Sequence, residues 1–216
     1  MAKLVFDETG KRFYETGVKH GVLFVQKDGG YEKGVAWNGL TAVTESPSGA
    51  EATALYADDI KYLELFSAEE FGATIEAYTY PEEFEVCDGS AALAEGITIG
   101  QQDRESFALC YKTVVGNDVM GDKLGYKLHI IYGAKAAPSE KAYQTINDSP
   151  EAVTFSWEVT STPINVTGHK PTSTLVIDST KVDPAKLALI EDKLYGTESE
   201  EPTLLTPDEV FEMFAE

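Results

Sequence analysis

Apolar and polar residues alternate along most of this chain. The alternation is clearest in residues 153–160, VTFSWEVT, where Val153, Phe155, Trp157 and Val159 are separated by hydroxyl and carboxylate side chains. Successive side chains of a strand point to opposite faces, so one face of this run is apolar and the other is polar. The pattern predicts an antiparallel strand that is buried on one side only.

Other runs with strand character are separated by turn signals. Asp28-Gly29-Gly30 is typical of a hairpin turn, and Pro81 ends another run. Together with the run above, the sequence predicts about eight strands, a number that favours a sandwich or a barrel. The other predicted strands are residues 21–26, 31–37, 60–66, 72–80, 107–115, 126–132 and 172–177.

Three segments carry helix signals instead. Residues 81–87 begin with proline followed by two acids, which suit the first turn of a helix. Residues 183–196 have Asp183 at the N-cap, Pro184 at the first helical position and a glycine at the end, with apolar residues at spacings of three and four. Residues 206–209 have the form of a capping box that starts a last short helix. The apolar side of that helix is predicted to be Val210, Phe211 and Phe214.

The longest connection between predicted strands is residues 44–59, TESPSGAEATALYADD. Connections of this length are uncommon in a compact domain and are usually functional or disordered. This one contains no His, Cys or Lys, which favours binding or assembly over catalysis. The alternative is a short surface helix over residues 50–57, because Ala, Glu and Leu are good helix formers.

The chain is strongly acidic, and its charge is unevenly distributed. Its 216 residues include 37 acidic and 17 basic side chains, for a formal net charge of −20. Residues 51–110 hold 14 acids and two bases, and residues 181–216 hold 10 acids and three bases. Binding to nucleic acid requires basic contacts to phosphate, so the chain is not expected to clasp DNA or RNA. Three interpretations remain: a solubilising surface, a surface that repels passing DNA, and a mimic of DNA that occupies a DNA-binding enzyme.

No set of side chains in the sequence predicts catalysis. His20, His129 and His169 lack the spacing of metal ligands, and Cys87 and Cys110 form no paired motif. Nucleotide-binding glycine loops and the GxSxG motif are absent. The abundant carboxylates form chance clusters, and residues 117–122 lack the EF-hand pattern for calcium. We therefore expect no enzyme activity and no catalytic, cofactor-binding or metal-binding residues.

Four blocks of the sequence can be matched as a set, in order, over nearly the whole chain. They are residues 34–51 (GVAWNGLTAVTESPSGAE), 76–89 (EAYTYPEEFEVCDG), 151–163 (EAVTFSWEVTSTP) and 182–196 (VDPAKLALIEDKLYG). Each block is moderately specific. Together they resemble the major tail protein, or tail-tube protein, of long, non-contractile-tailed bacteriophages and of prophages.

The resemblance implies a mainly β (α+β) fold. Residues 1–180 would form the tail-tube β-sandwich, two packed antiparallel β-sheets with a flanking short helix at residues 81–87, and residues 181–216 would form a C-terminal helical arm. Six copies would form a ring whose inner strands close into a barrel, and rings would stack into the tube through which the genome leaves. Residues 44–59 would be the loop that reaches the adjacent ring, mobile in the monomer and ordered on stacking. The assembly residues implied in this loop are Thr44, Glu45, Ser46, Pro47, Ser48, Gly49, Glu51, Leu55, Tyr56, Asp58 and Asp59.

The implied partners are other copies of this chain and the tail terminator, tape-measure and distal tail proteins. DNA would pass through the lumen without specific binding, because a ring of six would carry a formal charge of about −120. The implied location is the virion tail, after synthesis in the bacterial host cytoplasm. The N-terminus mixes charged with apolar residues, unlike a secretory signal, and no apolar run has the length of a membrane span. We therefore expect no membrane insertion.

Two other classes of function stay open. An acidic DNA mimic would remain a small oligomer and bind a DNA-processing enzyme. A carbohydrate-binding β-sandwich would usually carry exposed aromatic side chains on its loops, whereas Trp37 and Trp157 both fall in predicted strands.

Overall fold

The structure is a computed structural model that describes residues 3–146, 148 and 151–215. Its strands are β1 (Phe13–Lys27), β2 (Gly30–Tyr31), β3 (Val35–Trp37), β4 (Leu40–Glu45), β5 (Ser48–Gly49), β6 (Ala52–Ala57), β7 (Ile60–Phe66), β8 (Glu69–Glu70), β9 (Gly72–Ala77), β10 (Ala91–Ala94), β11 (Ile97–Ile99), β12 (Phe107–Asn117), β13 (Gly121–Ala136), β14 (Phe155–Ser161) and β15 (Thr174–Asp178). Its helices are α1 (Glu85–Asp88), preceded by a 3-10 turn (Glu82–Phe84), then α2 (Pro184–Tyr195) and α3 (Pro207–Ala215).

Nine of the described strands form one antiparallel sheet. Its order is β2-β1-β12-β13-β14-β9-β4, with β3 also paired to β1 and β15 also paired to β13. Strand β13 is long enough to pair with β15 through residues 127–131 and with β14 through residues 134–136. Three smaller pairs join β5 to β8, β6 to β7 and β10 to β11.

The first apolar core lies between the two ends of this sheet. It brings residues of β1, β12 and β13 together with residues of β9 and β14, so the sheet packs as two layers. Trp37, Phe84 and Trp157 are buried there, with ring centroids 4.6, 5.0 and 5.7 Å apart. Trp37 donates a hydrogen bond to the Thr79 carbonyl (2.9 Å), and Trp157 donates to Asp88 Oδ1 (3.0 Å). Both indole N–H groups are therefore buried with a partner, which avoids the cost of an unpaired donor.

The second apolar core lies on the opposite face of β1, β12 and β13. Alternate residues of these strands point to it, so the three strands are apolar on both sides. Tyr132 is buried in this core and donates to the Leu205 carbonyl (2.8 Å). The helices cover this core with Leu187, Ile190 and Leu194 of α2 and Val210 of α3.

Both C-terminal helices begin where the sequence predicts. Asp183 Oδ1 accepts hydrogen bonds from the amides of Ala185 (2.8 Å) and Lys186 (3.2 Å). Thr206 and Glu209 form the reciprocal capping box: the Thr206 amide donates to Glu209 Oε2 (2.7 Å), and the Glu209 amide donates to Thr206 Oγ1 (3.3 Å). These bonds pair amide donors that the first turn of each helix leaves open.

The mainly β class, the short flanking helix and the C-terminal helices are confirmed, but two details of the predictions are wrong. Phe211, predicted on the apolar side of α3, is 71% exposed, whereas Val210 and Phe214 pack against the second core. Residues 50–57 do not form a helix, because strand β6 occupies most of them. Pairing with β7 outweighs the helix preference of Ala, Glu and Leu in this segment.

We predict that Asp183→Ala destabilises the fold by about 1 kcal/mol, because two amides at the start of α2 lose their acceptor. The free energy of unfolding, measured by urea titration, tests this. Asp192→Ala is the control, because Asp192 is an exposed aspartate in the middle of the same helix. Equal destabilisation by both substitutions would contradict the capping role.

Candidate assembly surface

Strands β4 and β9 continue beyond the sheet as a two-stranded antiparallel ribbon. The pairing of β4 with β9 extends to Glu45 opposite Ala73, and it is followed by the β5–β8 pair and the β6–β7 pair. We call residues 46–71 the ribbon. The segment 44–59, predicted as a loop, therefore consists of the end of β4, one side of the ribbon and the ribbon's turn. The pairing was not predictable from this segment alone, because it depends on the residues that follow it.

Backbone conformations in the left-handed region shape the ribbon. The turn between β6 and β7 is made by Asp58 (φ 49°) and Asp59 (φ 62°), and aspartate tolerates this conformation better than most residues. Gly49 has φ 83°, and a Cβ atom there would lie 2.2 Å from the Ala68 carbonyl oxygen. Only glycine fits this close approach between the two sides of the ribbon.

The outer part of the ribbon is rich in apolar residues and is uncovered. Every residue of β7 is exposed, and in β6 only Ala54 is half-buried. The register places Thr53 opposite Leu65 and Leu55 opposite Leu63, which puts these four side chains on one face. A two-stranded hairpin is marginally stable alone, and exposed apolar patches mark sites of protein interaction. The outer ribbon therefore has the properties of a surface that another protein covers.

All eleven assembly residues of the sequence prediction are exposed on this element or at its base. Thr44 and Glu45 end β4, and Asp58 and Asp59 form the turn. The structure places the others along the first side of the ribbon: Ser46, Pro47, Ser48, Gly49, Glu51, Leu55 and Tyr56. Their role in assembly stays a prediction.

The sequence prediction missed the second side of the ribbon. Strand β7 was predicted as a strand but not as part of the site. It contributes the exposed apolar side chains Ile60, Tyr62, Leu63, Leu65 and Phe66. A usable signal was present, because both faces of this run carry apolar residues while the segment before it has no strong core pattern.

A polar network lies beneath the base of the ribbon. Tyr111 donates to Glu45 Oε1 (3.1 Å), and its ring stacks on His129 with centroids 4.8 Å apart. His129 Nε2 lies 2.9 Å from Thr113 Oγ1 and 3.3 Å from Glu15 Oε1. The network thereby ties β4, at the root of the ribbon, to β1, β12 and β13.

Burial and hydrogen bonds set the protonation of this network. Burial lowers the pKa of His129, and the nearby carboxylates of Glu15 and Glu45 oppose this only in part. Burial by itself would raise the pKa of Glu15, but hydrogen bonds from Lys127 and Thr113 lower it overall. At neutral pH the network therefore holds a neutral imidazole beside an ion pair.

We predict that His129→Gln flattens the dependence of stability on pH. In the folded chain the pKa of His129 is lowered, so below about pH 6.5 the unfolded chain binds a proton that the folded chain resists, and stability falls with pH. Glutamine does not titrate. The loss of unfolding free energy between pH 7.5 and 5 should shrink by up to about 1 kcal/mol, as measured by urea unfolding. The control is His169→Gln, because His169 is exposed; an equal change there would contradict the assignment.

Two strand edges are open within the described part of the chain. In the order β1-β12-β13-β15, β1 pairs with β12 on one side, while β3 and β2 pair with its other side only from Gly21 onward. Strand β15 pairs with β13 on one side only. Phe13 and Tyr14 near the first edge and Val176 on β15 are exposed. Open edges of this kind can pair with a strand of another chain.

The two cysteines are not arranged for chemistry. Cys87 and Cys110 are buried and form no disulfide. Burial raises the pKa of each thiol to about 12, so both are protonated at neutral pH. Among the described residues, no group of three or more His, Cys, Asp or Glu side chains is placed to hold a metal ion. No helix within the described ranges is long and apolar enough to cross a membrane.

Comparisons with known proteins give two distant structural likenesses. No protein-family model matches the chain, and no curated protein matches it. A chain of the anti-feeding prophage (AFP) baseplate, 6-fold symmetrised, is 8% identical with a TM-score of 0.38, over 83% of this chain and 100% of that chain. A chain of the PVC sheath-tube complex of an extracellular contractile injection system, in the extended state, is 11% identical with a TM-score of 0.31, over 80% of this chain and 93% of that chain. Likenesses this low assign neither a common fold nor a function.

Proposed function

We propose that this chain is a structural virion protein of a long, non-contractile bacteriophage or prophage tail. Copies would assemble into stacked hexameric rings that form the tail tube, the conduit for genome delivery. The observation that carries the proposal is the exposed apolar ribbon, which includes the segment that the sequence resemblance assigns to contact between rings. Such a surface requires a protein partner, and copies of the same chain are the partner that the resemblance implies.

The open edges support assembly into rings. Neighbouring strands in the order β1-β12-β13-β15 are antiparallel, so β1 and β15 run in opposite directions. Strand β15 of one copy can therefore join β1 of the next copy as a further antiparallel strand. This contact is head-to-tail, and head-to-tail contacts form closed rings when the rotation between copies allows closure. The number six comes from the resemblance alone.

The charge of the chain suits a conduit for DNA. A net charge of −20 per copy disfavours adhesion of phosphate to the tube wall, so DNA would slide through the lumen without specific binding. The ends of the tube would contact the tail terminator, tape-measure and distal tail proteins. The protein would therefore reside in the virion tail after synthesis in the bacterial cytoplasm, with no enzymatic activity of its own.

The alternatives account for fewer observations. Stacking on sugar requires exposed aromatic rings, but Trp37 and Trp157 are both buried. Acidity is what a DNA mimic requires, but mimicry gives no reason for an apolar ribbon.

We predict that replacing residues 52–66 by Asn-Gly leaves a folded monomer that forms no tubes. The replacement suits a two-residue hairpin, because Glu51 and Ser67 are adjacent across the ribbon, where the Ser67 amide donates to the Glu51 carbonyl (3.1 Å). Negative-stain electron microscopy of the concentrated protein checks for hollow tubes, and circular dichroism checks the fold.

A triple serine variant makes the same test without a deletion. Leu55, Leu63 and Leu65 changed to Ser remove the apolar face of the ribbon and should abolish tubes. The control is the triple serine variant of Leu93, Ile97 and Ile99, which are exposed on the separate β10–β11 hairpin. Tubes of normal length from either ribbon variant would overturn the proposed role of the ribbon. Failure of the wild type to form tubes at any concentration would overturn the proposed function.

A further inference from the structure

We propose that the tip of the ribbon binds a lysine-lined groove on a second copy of this chain. This inference rests on the proposed self-assembly and names the surface that receives the ribbon. The tip consists of Tyr56, Asp58, Asp59 and Ile60. The groove, which we call the lysine groove, lies between β1, the start of β13 and the start of α2, and its main side chains are Lys19, Lys123, Leu124, Tyr126 and Leu187.

The tip carries negative charge beside apolar surface. No described basic side chain forms an ion pair with Asp58 or Asp59, whereas the lysine of the ribbon, Lys61, pairs with Glu64 (2.7 Å). Tyr56 and Ile60, on either side of the turn, are 72% and 64% exposed. A complementary surface must therefore offer positive charge and apolar contact together.

The lysine groove offers both. It has a volume of about 400 Å³. Lys19 and Lys123 are exposed, and within the described ranges neither forms an ion pair with a carboxylate. Asp122 is the single acidic side chain among the groove's lining residues, so the groove has a net positive charge on a chain whose total is −20. Leu124, Tyr126 and Leu187 supply its apolar contact surface.

The positions of tip and groove favour contact between different copies. Tyr126 and Leu187 pack with the second core, whereas Leu40 and Val43 of β4, at the root of the ribbon, pack with the first. Groove and ribbon root therefore lie on opposite faces of the sheet. A contact from the tip of one copy to the groove of the next is head-to-tail and can repeat without closing, as a stack of rings requires. The β6–β7 pair adds a reach of about 20 Å at about 3.3 Å per residue.

Carboxyl-to-amine coupling of assembled wild-type protein tests the contact directly. A carbodiimide joins a carboxylate to an amine only where the two groups are within ion-pair reach. We expect mass spectrometry to find the peptide with Asp58 and Asp59 linked to the peptide with Lys19 or Lys123, in tubes but not in dilute monomer. Tubes in which the tip is linked only to other lysines would overturn the proposal.

Charge variants give a second test. Lys19→Glu with Lys123→Glu should raise the protein concentration needed for tube formation by at least about tenfold, because the groove becomes repulsive to the tip. Asp58→Asn with Asp59→Asn should raise it less, because asparagine keeps the turn conformation and loses only the charge. Lys135→Glu with Lys170→Glu is the matched control, because it makes the same change in net charge at two other exposed lysines.

The outcomes separate this inference from the proposed function. If the groove variant forms tubes as readily as the matched control while the ribbon variants form none, the groove is wrong and the function stands. If the ribbon variants also form tubes, the proposed role of the ribbon fails with it. Circular dichroism of each variant checks the fold, and the coupling result on wild-type protein decides the matter if the groove variant does not fold.

Discussion

The structure depends on the burial of both faces of β1, β12 and β13. Alternate residues of these strands enter two different apolar cores, so neither face can be left in water. One face is covered by β9 and β14 from the other end of the same sheet, and the other by α2 and α3. The positions of the other elements follow from this: Trp157 and Phe84 fill the first core, and the capped helices close the second.

Because the cores are completed within the chain, the apolar side chains that remain outside take on a separate meaning. They concentrate on the ribbon, at the open edges of the sheet and on the small β10–β11 hairpin. The ribbon is not loosely attached, because the network of Glu45, Tyr111, His129 and Glu15 joins its root to the strands with two buried faces. Its root is thus held by the fold while its outer half is presented to a partner.

The chemistry of the chain agrees with a role based on surfaces. Both thiols are buried and protonated, His129 is held neutral by burial, and both indoles are used in the first core. The strong negative charge acts over the whole molecule rather than at one site. Self-assembly needs only edges, apolar surface and complementary charge, and these are what the described residues supply.

The sequence by itself determined the features that depend on neighbouring residues. These are the alternating strands, the Asp28-Gly29 turn with φ values of 49° and 84°, the caps at Asp183 and Thr206, and the exposure of residues 44–59. Only the tertiary structure decided that residues 44–59 pair with the chain that follows, that β7 shares the site, that Phe211 faces solvent, and that Lys19 lies in one groove with Lys123. Caps and turns are set by bonds within a few residues, whereas strand pairing and groove formation join residues far apart in the chain, which local pattern does not encode.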